Sequence, residues 1–173
     1  VNHLDAYSFY TCTSLEEIEI PSSVKVIQKY TFFNCTSLKY IKIPSTVVEF
    51  ENNAFDKCEN IRYFIIPSSL TSINAYAFNG CLQLAQIKIP SSVKSICDYA
   101  FEDCLNLQEI LIPSTITFIG IGIFRNCKLL KKVIIENNPA LDMIKERSFY
   151  KCTSLEYISI PPSVKVIGHK SFY

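Results

Sequence analysis

Apolar and polar positions alternate in short bursts along the chain, and the bursts return in the same order from end to end. Each reads Leu-x-x-Ile-x-Ile-Pro or a close variant, with apolar pairs at Ile18/Ile20, Ile41/Ile43, Phe64/Ile66, Ile87/Ile89, Ile110/Ile112, Val133/Ile135 and Ile158/Ile160. A period of two over so few residues predicts a half-buried strand. Pro21, Pro44, Pro67, Pro90, Pro113 and Pro161 follow, and proline, lacking an amide hydrogen, ends the ladder and turns the chain. A second extended segment is expected where Val24/Ile27, Val47/Phe50, Leu70/Ile73, Val93/Ile96 and Ile116/Ile119 point inward. A small residue and a phenylalanine then close the unit, as in Ala54-Phe55, Ala77-Phe78 and Ala100-Phe101, with a cysteine three residues on. That stretch is too short for a regular helix and predicts a single helical or 3₁₀ turn.

The unit is strictly periodic. Phe9, Phe32, Phe55, Phe78, Phe101 and Phe124 are 23 residues apart, and only the step from Phe124 to Phe149 is longer, at 25. A fixed period in this range marks a solenoid whose coils cannot bury their apolar faces alone. The expected fold is a mainly β solenoid of about seven 23-residue coils, with a parallel sheet and little regular helix, as one domain over 1–173. Truncating a central phenylalanine such as Phe78 or Phe101 is expected to be costly, because its neighbours are held in register.

Seven of the eight cysteines, Cys12, Cys35, Cys58, Cys81, Cys104, Cys127 and Cys152, share one position per coil. Coils about 4.8 Å apart bring these residues within disulfide range, but parallel inward Cβ vectors are poorly aimed for bonding. Free, buried thiols acting as small hydrophobes are the preferred reading over disulfides. The irregular coil runs from Cys127 to Cys152, where Glu136 replaces the proline and Asn137-Asn138-Pro139-Ala140-Leu141 adds two residues. They are expected to bulge from the corner, as loop drift in preference to a protrusion that a partner grips. Neither end reads as a polar cap. The expectation is a fragment of a longer repeat array, with self-association through uncapped solenoid ends as its consequence.

The run Ala-Phe-x-x-Cys-x-x-Leu-x-x-Ile-x-Ile-Pro-Ser-Ser-Val-x-x-Ile, as in Ala77 to Ile96, resembles the BspA-like class of leucine-rich repeats, and the resemblance covers nearly the whole chain. It implies a leucine-rich-repeat superhelix, an α/β-type repeat, with a non-enzymatic surface for binding proteins. Several members are adhesins on bacterial or protist cells and others are intracellular. Cell surface or secreted is therefore the localisation the resemblance implies, while the thiol ladder fits a cytoplasmic alternative. Glycine, frequent in this class just after the second isoleucine, appears only at Gly120 and Gly168; Gln28, Glu51, Asn74, Cys97 and Lys145 take the other places. Fold is not ligand, so the partner stays open.

Composition narrows the partners. A formal charge of +1, from 17 basic and 16 acidic residues, gives no global field for nucleic acid or an anionic membrane. No apolar run approaches the roughly 20 residues that span a bilayer, so membrane insertion is not expected. The chain has no C-x-x-C, and His3 and His169 lie at opposite ends, which leaves no metal site and no catalytic triad. No cofactor is expected. Cys97 beside Asp98 has no cation in sequence to activate it. Asn34-Cys35-Thr36 matches a glycosylation sequon, but its cysteine belongs to the buried ladder.

What remains is the outward face of the first strand. The columns read Glu16, Lys39, Arg62, Ala85, Gln108, Lys131, Glu156, then Glu17, Tyr40, Tyr63, Gln86, Glu109, Lys132, Tyr157, then Glu19, Lys42, Ile65, Lys88, Leu111, Ile134, Ser159. Lys39, Tyr40, Lys42, Arg62, Tyr63, Ile65 and Lys88 form one candidate patch, basic and aromatic, of the kind that carries interface energy. Leu111, Ile134, Lys132, Tyr157 and Lys131 form a second. A solvated face with tyrosines serving strand propensity is the competing reading. On another face Tyr30, Tyr76 and Tyr99 share a column, either packing along the stack, the preferred reading, or making a lateral contact. Two roles for such a surface stay open: a surface adhesin, or an intracellular scaffold or regulatory subunit docking on an enzyme such as a protein phosphatase.

Overall fold

The computed structural model describes residues 4–173; Val1 to His3, and with them one of the two histidines, lie outside the described residues. Two strands form in every coil. The odd-numbered strands come first: β1 (Glu17–Glu19), β3 (Tyr40–Lys42), β5 (Tyr63–Ile65), β7 (Gln86–Lys88), β9 (Glu109–Ile112), β11 (Lys132–Ile135) and β13 (Tyr157–Ser159). Past the proline corner come β2 (Val26–Ile27), β4 (Glu49–Phe50), β6 (Ser72–Ile73), β8 (Ser95–Ile96), β10 (Phe118–Ile119), β12 (Met143–Ile144) and β14 (Val166–Ile167). Pairing is parallel and follows the repeat, with Ile18 opposite Ile41, Phe64 opposite Ile87, and Val133 opposite Ile110 and Ile158. Coil one thus holds β1 and β2, and coil seven holds β13 and β14. No helix forms among the described residues.

The two ladders are not continuous. Hydrogen bonding groups the first strands as β1-β3, β5-β7 and β9-β11-β13, and the second as β2-β4-β6-β8-β10 and β12-β14. The second ladder opens at the step where the extra residues enter, between coils five and six. Those residues are stitched into the stack. The Asn138 side-chain amide donates to Ile116 O, its Oδ1 accepts from Ala140 N–H at 2.9 Å, and Glu136 accepts from Ser114 N–H at 2.8 Å. Asn138 is buried, while Asn137, Pro139 and Ala140 are exposed. Asn138 here takes over from the hydroxyls of Thr46 and Thr115, which donate to Val24 O (3.0 Å) and Val93 O (2.9 Å) one coil back. Ser69 does the same to Val47 O. At these coils the second hydroxyl of the corner is therefore a rung between coils, whereas the Ser92 hydroxyl at the same position is buried without a partner among the described residues.

Between the second strand and the cysteine, the structure replaces the expected helical or 3₁₀ turn with a train of tight turns. In coil one, Thr31, Phe33 and Cys35 N–H close back to Gln28, Tyr30 and Phe32 O, each at 3.2 Å. The intervening amides turn outward: Tyr30, Phe32 and Asn34 N–H donate to Asn52 (3.3 Å), Ala54 (2.9 Å) and Asp56 O (2.8 Å) of the next coil. A helix would spend all these amides internally. The alternation needs a left-handed residue at each end, here Tyr30 (φ 56°) and Asn34 (φ 58°), and the pair recurs as Asn53/Lys57, Tyr99/Asp103 and Arg147/Lys151. Gly120, by contrast, is not left-handed; a Cβ there would sit 2.4 Å from Asp98 N, so glycine serves close approach of coils. Gly168 makes the same approach, 2.5 Å from Glu146 N for a Cβ, while residues with side chains fill the equivalent places in the other coils.

The core is the repeated letters stacked on themselves. Rings from Phe9 to Phe172 form an unbroken offset stack with centroids 5.2 to 5.7 Å apart, and Phe32, Phe55, Phe78, Phe101 and Phe124 are fully buried. All eight cysteines are free thiols. They are more than small hydrophobes: each ladder thiol from Cys35 to Cys152 donates to the carbonyl of the phenylalanine one coil back, as in Cys58 to Phe32 O (3.1 Å) and Cys104 to Phe78 O (3.2 Å). The tyrosine column packs along the stack, Tyr7 on Tyr30 and Tyr76 on Tyr99, each pair at 5.1 Å.

Candidate functional site

Burying the isoleucines of the first strands drives the alternate side chains out, and parallel register aligns them into columns. Glu17 stands opposite Tyr40, Tyr63 opposite Gln86, and Lys132 opposite Glu109 and Tyr157. Tyr40, Tyr63, Tyr157, Ile65 and Leu111 are all exposed, and Ile65 at 83% is nearly free of neighbours. Ile134 is half-buried.

Charge divides this face unevenly. Lys39 pairs with Glu16 at 2.8 Å and Lys42 with Glu19 at 3.1 Å, so the coil-two lysines are neutralised by coil one. The basic patch proposed around them is therefore basic only further along, at Arg62 and Lys88. Neither of those forms an ion pair among the described residues, nor do Lys131 and Lys132.

The two sequence patches meet in one depression. A shallow trough of about 590 Å³ runs over β5, β7, β9 and β11, lined by Tyr63, Ile65, Lys88, Leu111, Lys132 and Ile134 together with Ala85, Gln86, Gln108 and Glu109. It straddles the step where β7 and β9 lie side by side in separate hydrogen-bonded groups. Lys39, Tyr40, Lys42, Arg62 and Tyr157 are not part of its lining. Sequence reasoning passed over four of the outward lining residues, Gln86, Gln108, Glu109 and Ala85, and of these Ala85 is the one whose residue type breaks its column. Its column otherwise carries Glu16, Lys39, Arg62, Gln108, Lys131 and Glu156, and one methyl among long side chains leaves a gap in the wall. That break in the column is the available signal.

Reactive chemistry is held down elsewhere. Burial pushes the Cys35 thiol up to about 11 and the Cys152 thiol to about 12, and raises Cys58, Cys81, Cys104 and Cys127 well above the ordinary range. Cys97, half-buried on the second-strand side, is raised by burial too, although the Ser72 hydroxyl beside it, 3.9 Å away, acts in the opposite sense. A thiol that holds its proton is a poor nucleophile. Asp56 is buried between the amides of Asn53 (2.8 Å) and Asn79 (2.9 Å), and burial raises its carboxyl despite them. Among the described residues no three His, Cys, Asp or Glu converge as metal ligands. Cys35 of the formal sequon is fully buried.

Comparison with known proteins places this geometry. The model of the BspA type leucine rich repeat region matches the chain in six copies, over residues 2–129 and 48–173. A leucine rich cell surface protein from Faecalibacterium prausnitzii A2-165 has a similar structure, with a TM-score of 0.79 at 27% identity, covering 99% of this chain and 55% of that one. The chain thus spans about half the length of that relative. A T. pallidum leucine rich repeat protein gives 0.78 at 29% identity, over 88% of this chain and 71% of that one. A leucine-rich repeat protein from Bacteroides ovatus gives 0.52 at 27% identity, over 100% and 62%. No curated protein matches the chain.

Proposed function

The chain belongs to the BspA-type leucine-rich repeat family, and from that premise we propose that it is a non-enzymatic protein-binding module that holds its partner on the outward face of the first strands. The observation that carries this is the trough. Ile65, Leu111 and Ile134 line a concavity of about 590 Å³, and the fold needs none of them there, since alternate isoleucines already fill the core. Apolar side chains grouped in a depression, beside an exposed tyrosine, are what an interface core is made of.

Work at the cell surface, as an adhesin, is the finer reading, supported by the description of the F. prausnitzii relative as a cell surface protein. The eight free thiols favour the other, an intracellular scaffold or regulatory subunit docking on an enzyme such as a protein phosphatase, because reducing compartments keep thiols free. Intact mass of the natural protein, alkylated in denaturant without reductant, separates them: eight alkylated cysteines support the intracellular role, and any disulfide removes it.

The contact surface is tested by capture from an extract of the source organism. Wild type, a Tyr63→Ala/Leu111→Ser variant and a Tyr40→Ala variant are immobilised side by side. The double variant is expected to retain a tenth or less of the captured protein, with an unchanged thermal midpoint, and Tyr40→Ala to retain most of it. Equal capture by wild type and the double variant would remove the trough from consideration.

A further inference from the structure

We infer that the trough takes an extended, acidic segment of its protein partner, with aliphatic side chains seated between carboxylates. This rests on the trough being the contact surface and adds the chemistry of what fills it. Over coils three to six the outward positions of the first strands carry Arg62, Lys88, Lys131 and Lys132 against the one carboxylate of Glu109. Those four cations form no ion pair among the described residues, whereas Lys39 and Lys42 are each held by a glutamate. A chain of net charge +1 has therefore concentrated unneutralised positive charge on the face that carries the apolar trough. Such a surface selects and steers a negative partner.

The apolar groups fix what lies between the charges. Leu111 and Ile134 face each other in register on β9 and β11, with Lys88 one strand before Leu111 in the same column. Lys132 is two residues from Ile134 on β11. An aliphatic side chain laid on Leu111 and Ile134 has an ammonium group to either side of it. Three strand steps of about 4.8 Å separate β5 from β11, roughly 14 Å, which an extended segment of four or five residues covers. Phosphate-bearing strands would satisfy the cations but leave Ile65, Leu111 and Ile134 without use, since Tyr63 is the one ring in the outward lining on which a base could stack.

The test is fluorescence anisotropy on the intact chain with three fluorescein-labelled hexapeptides. They are Asp-Glu-Leu-Ile-Glu-Asp, its amide counterpart Asn-Gln-Leu-Ile-Gln-Asn, and Asp-Glu-Ser-Ser-Glu-Asp. The first is expected to bind at least tenfold more tightly than either control and to weaken when salt rises from 0.15 to 0.5 M. K88E/K132E and, separately, L111S should each lower that affinity at least tenfold with unchanged circular dichroism, while K39A leaves it within twofold. Equal binding of the amide peptide removes the charge argument, and equal binding of the serine peptide removes the apolar one. A thymidine hexanucleotide that displaces the first peptide more effectively than unlabelled peptide does overturns the choice of partner. If no peptide binds, yet protein capture still depends on Tyr63 and Leu111, the acidic segment is wrong and the binding module stands. If that capture is also insensitive to the double variant, both fall.

Discussion

Each ladder thiol answers two demands made by one residue position. The phenylalanine carbonyl one coil back already accepts an amide from its own turn, as Phe78 O does from Cys81 N–H at 3.2 Å, and it takes the Cys104 thiol on its second lone pair at the same distance. Serine would offer a hydroxyl that is harder to bury, and alanine no donor at all. Cys104→Ala is expected to lower stability by about 1–3 kcal/mol, from the lost hydrogen bond and the vacated volume, as read by urea unfolding at pH 7. The thiols also set a pH limit. Burial holds the folded pKa values of the six ladder thiols from Cys35 to Cys152 above the ordinary value of 9.0, with Cys35 at about 11 and Cys152 at about 12. Below pH 9 both folded and unfolded chains keep these protons; above it the unfolded chain releases them first. Stability is therefore complete below about pH 9 and falls as pH rises toward 11 and 12. Each thiol contributes up to about 1.4 kcal/mol per pH unit to that fall. Urea midpoints at pH 8, 9 and 10 should drop progressively, and less steeply for Cys104→Ala than for wild type.

At the scale of the element, stacking converts a short turn into a structure that tolerates almost no void. Phe78 lies between Phe55 at 5.6 Å and Phe101 at 5.4 Å, with Phe50 and Phe64 edge-on. Its neighbours are fixed by the coils above and below, so Phe78→Ala should cost about 3–5 kcal/mol, whereas Phe172→Ala, at a ring 43% exposed, should cost well under half of that by the same denaturation measurement. The turn train gives a sharper test. Gly122 is left-handed (φ 59°), and a Cβ on it would lie 2.5 Å from the Tyr99 ring. Gly122→Ala therefore carries a steric cost on top of the backbone cost of about 1–2 kcal/mol. In a Tyr99→Ala background only the backbone part should remain, and a double-mutant cycle in which the two changes are additive would refute the contact. The strands and their register were legible in the chain because the period-two pattern and the proline corner are written in residue type. The turn train was not. Its left-handed positions hold tyrosine, asparagine, lysine, aspartate and arginine in most coils, with glycine only at Gly80 and Gly122, so the usual residue signal for that conformation is missing. What selects it is hydrogen bonding to the next coil, a partner 22 residues away.

Over the whole molecule, the breaks in the two ladders never coincide. The first ladder opens between coils two and three and between coils four and five, where β4-β6 and β8-β10 remain bonded. The second opens between coils five and six, where β9-β11 is intact. Every step between coils keeps at least one strand pairing. The same opened step beneath the trough explains how far the candidate site could be read beforehand. The columns of outward residues followed from alternation alone, and Ile65, Leu111 and Ile134 stood out in them. Their merger into one depression depends on Ala85 and on the parting of β7 from β9, which is a matter of spacing between coils and leaves no mark on residue type. The pairing of Lys39 and Lys42 with coil-one glutamates was equally a product of register. Staggered breaks have a mechanical consequence. In a solenoid, cooperativity requires each interface between coils to outweigh the cost of ending the fold there, so the step between coils five and six depends on β9-β11. Ile134 lies between two amides that bond across that step, Lys132 N–H to Gln108 O (3.3 Å) and Glu136 N–H to Ile112 O (3.0 Å). Ile134→Pro removes an amide at a step whose second ladder is already open. Wild type is expected to unfold in a single transition, with far-ultraviolet circular dichroism and tyrosine fluorescence superimposable across the urea curve. The proline variant should separate into two transitions, the later one retaining hydrogen-exchange protection in coils one to five. A proline variant at the equivalent Ile65, between coils two and three, leaves β4-β6 in place within the five-strand ladder and should only shift the midpoint. Two transitions in wild type, or a single one in Ile134→Pro, would show that the strand ladders do not govern cooperativity and that the phenylalanine and cysteine stacks alone couple the coils.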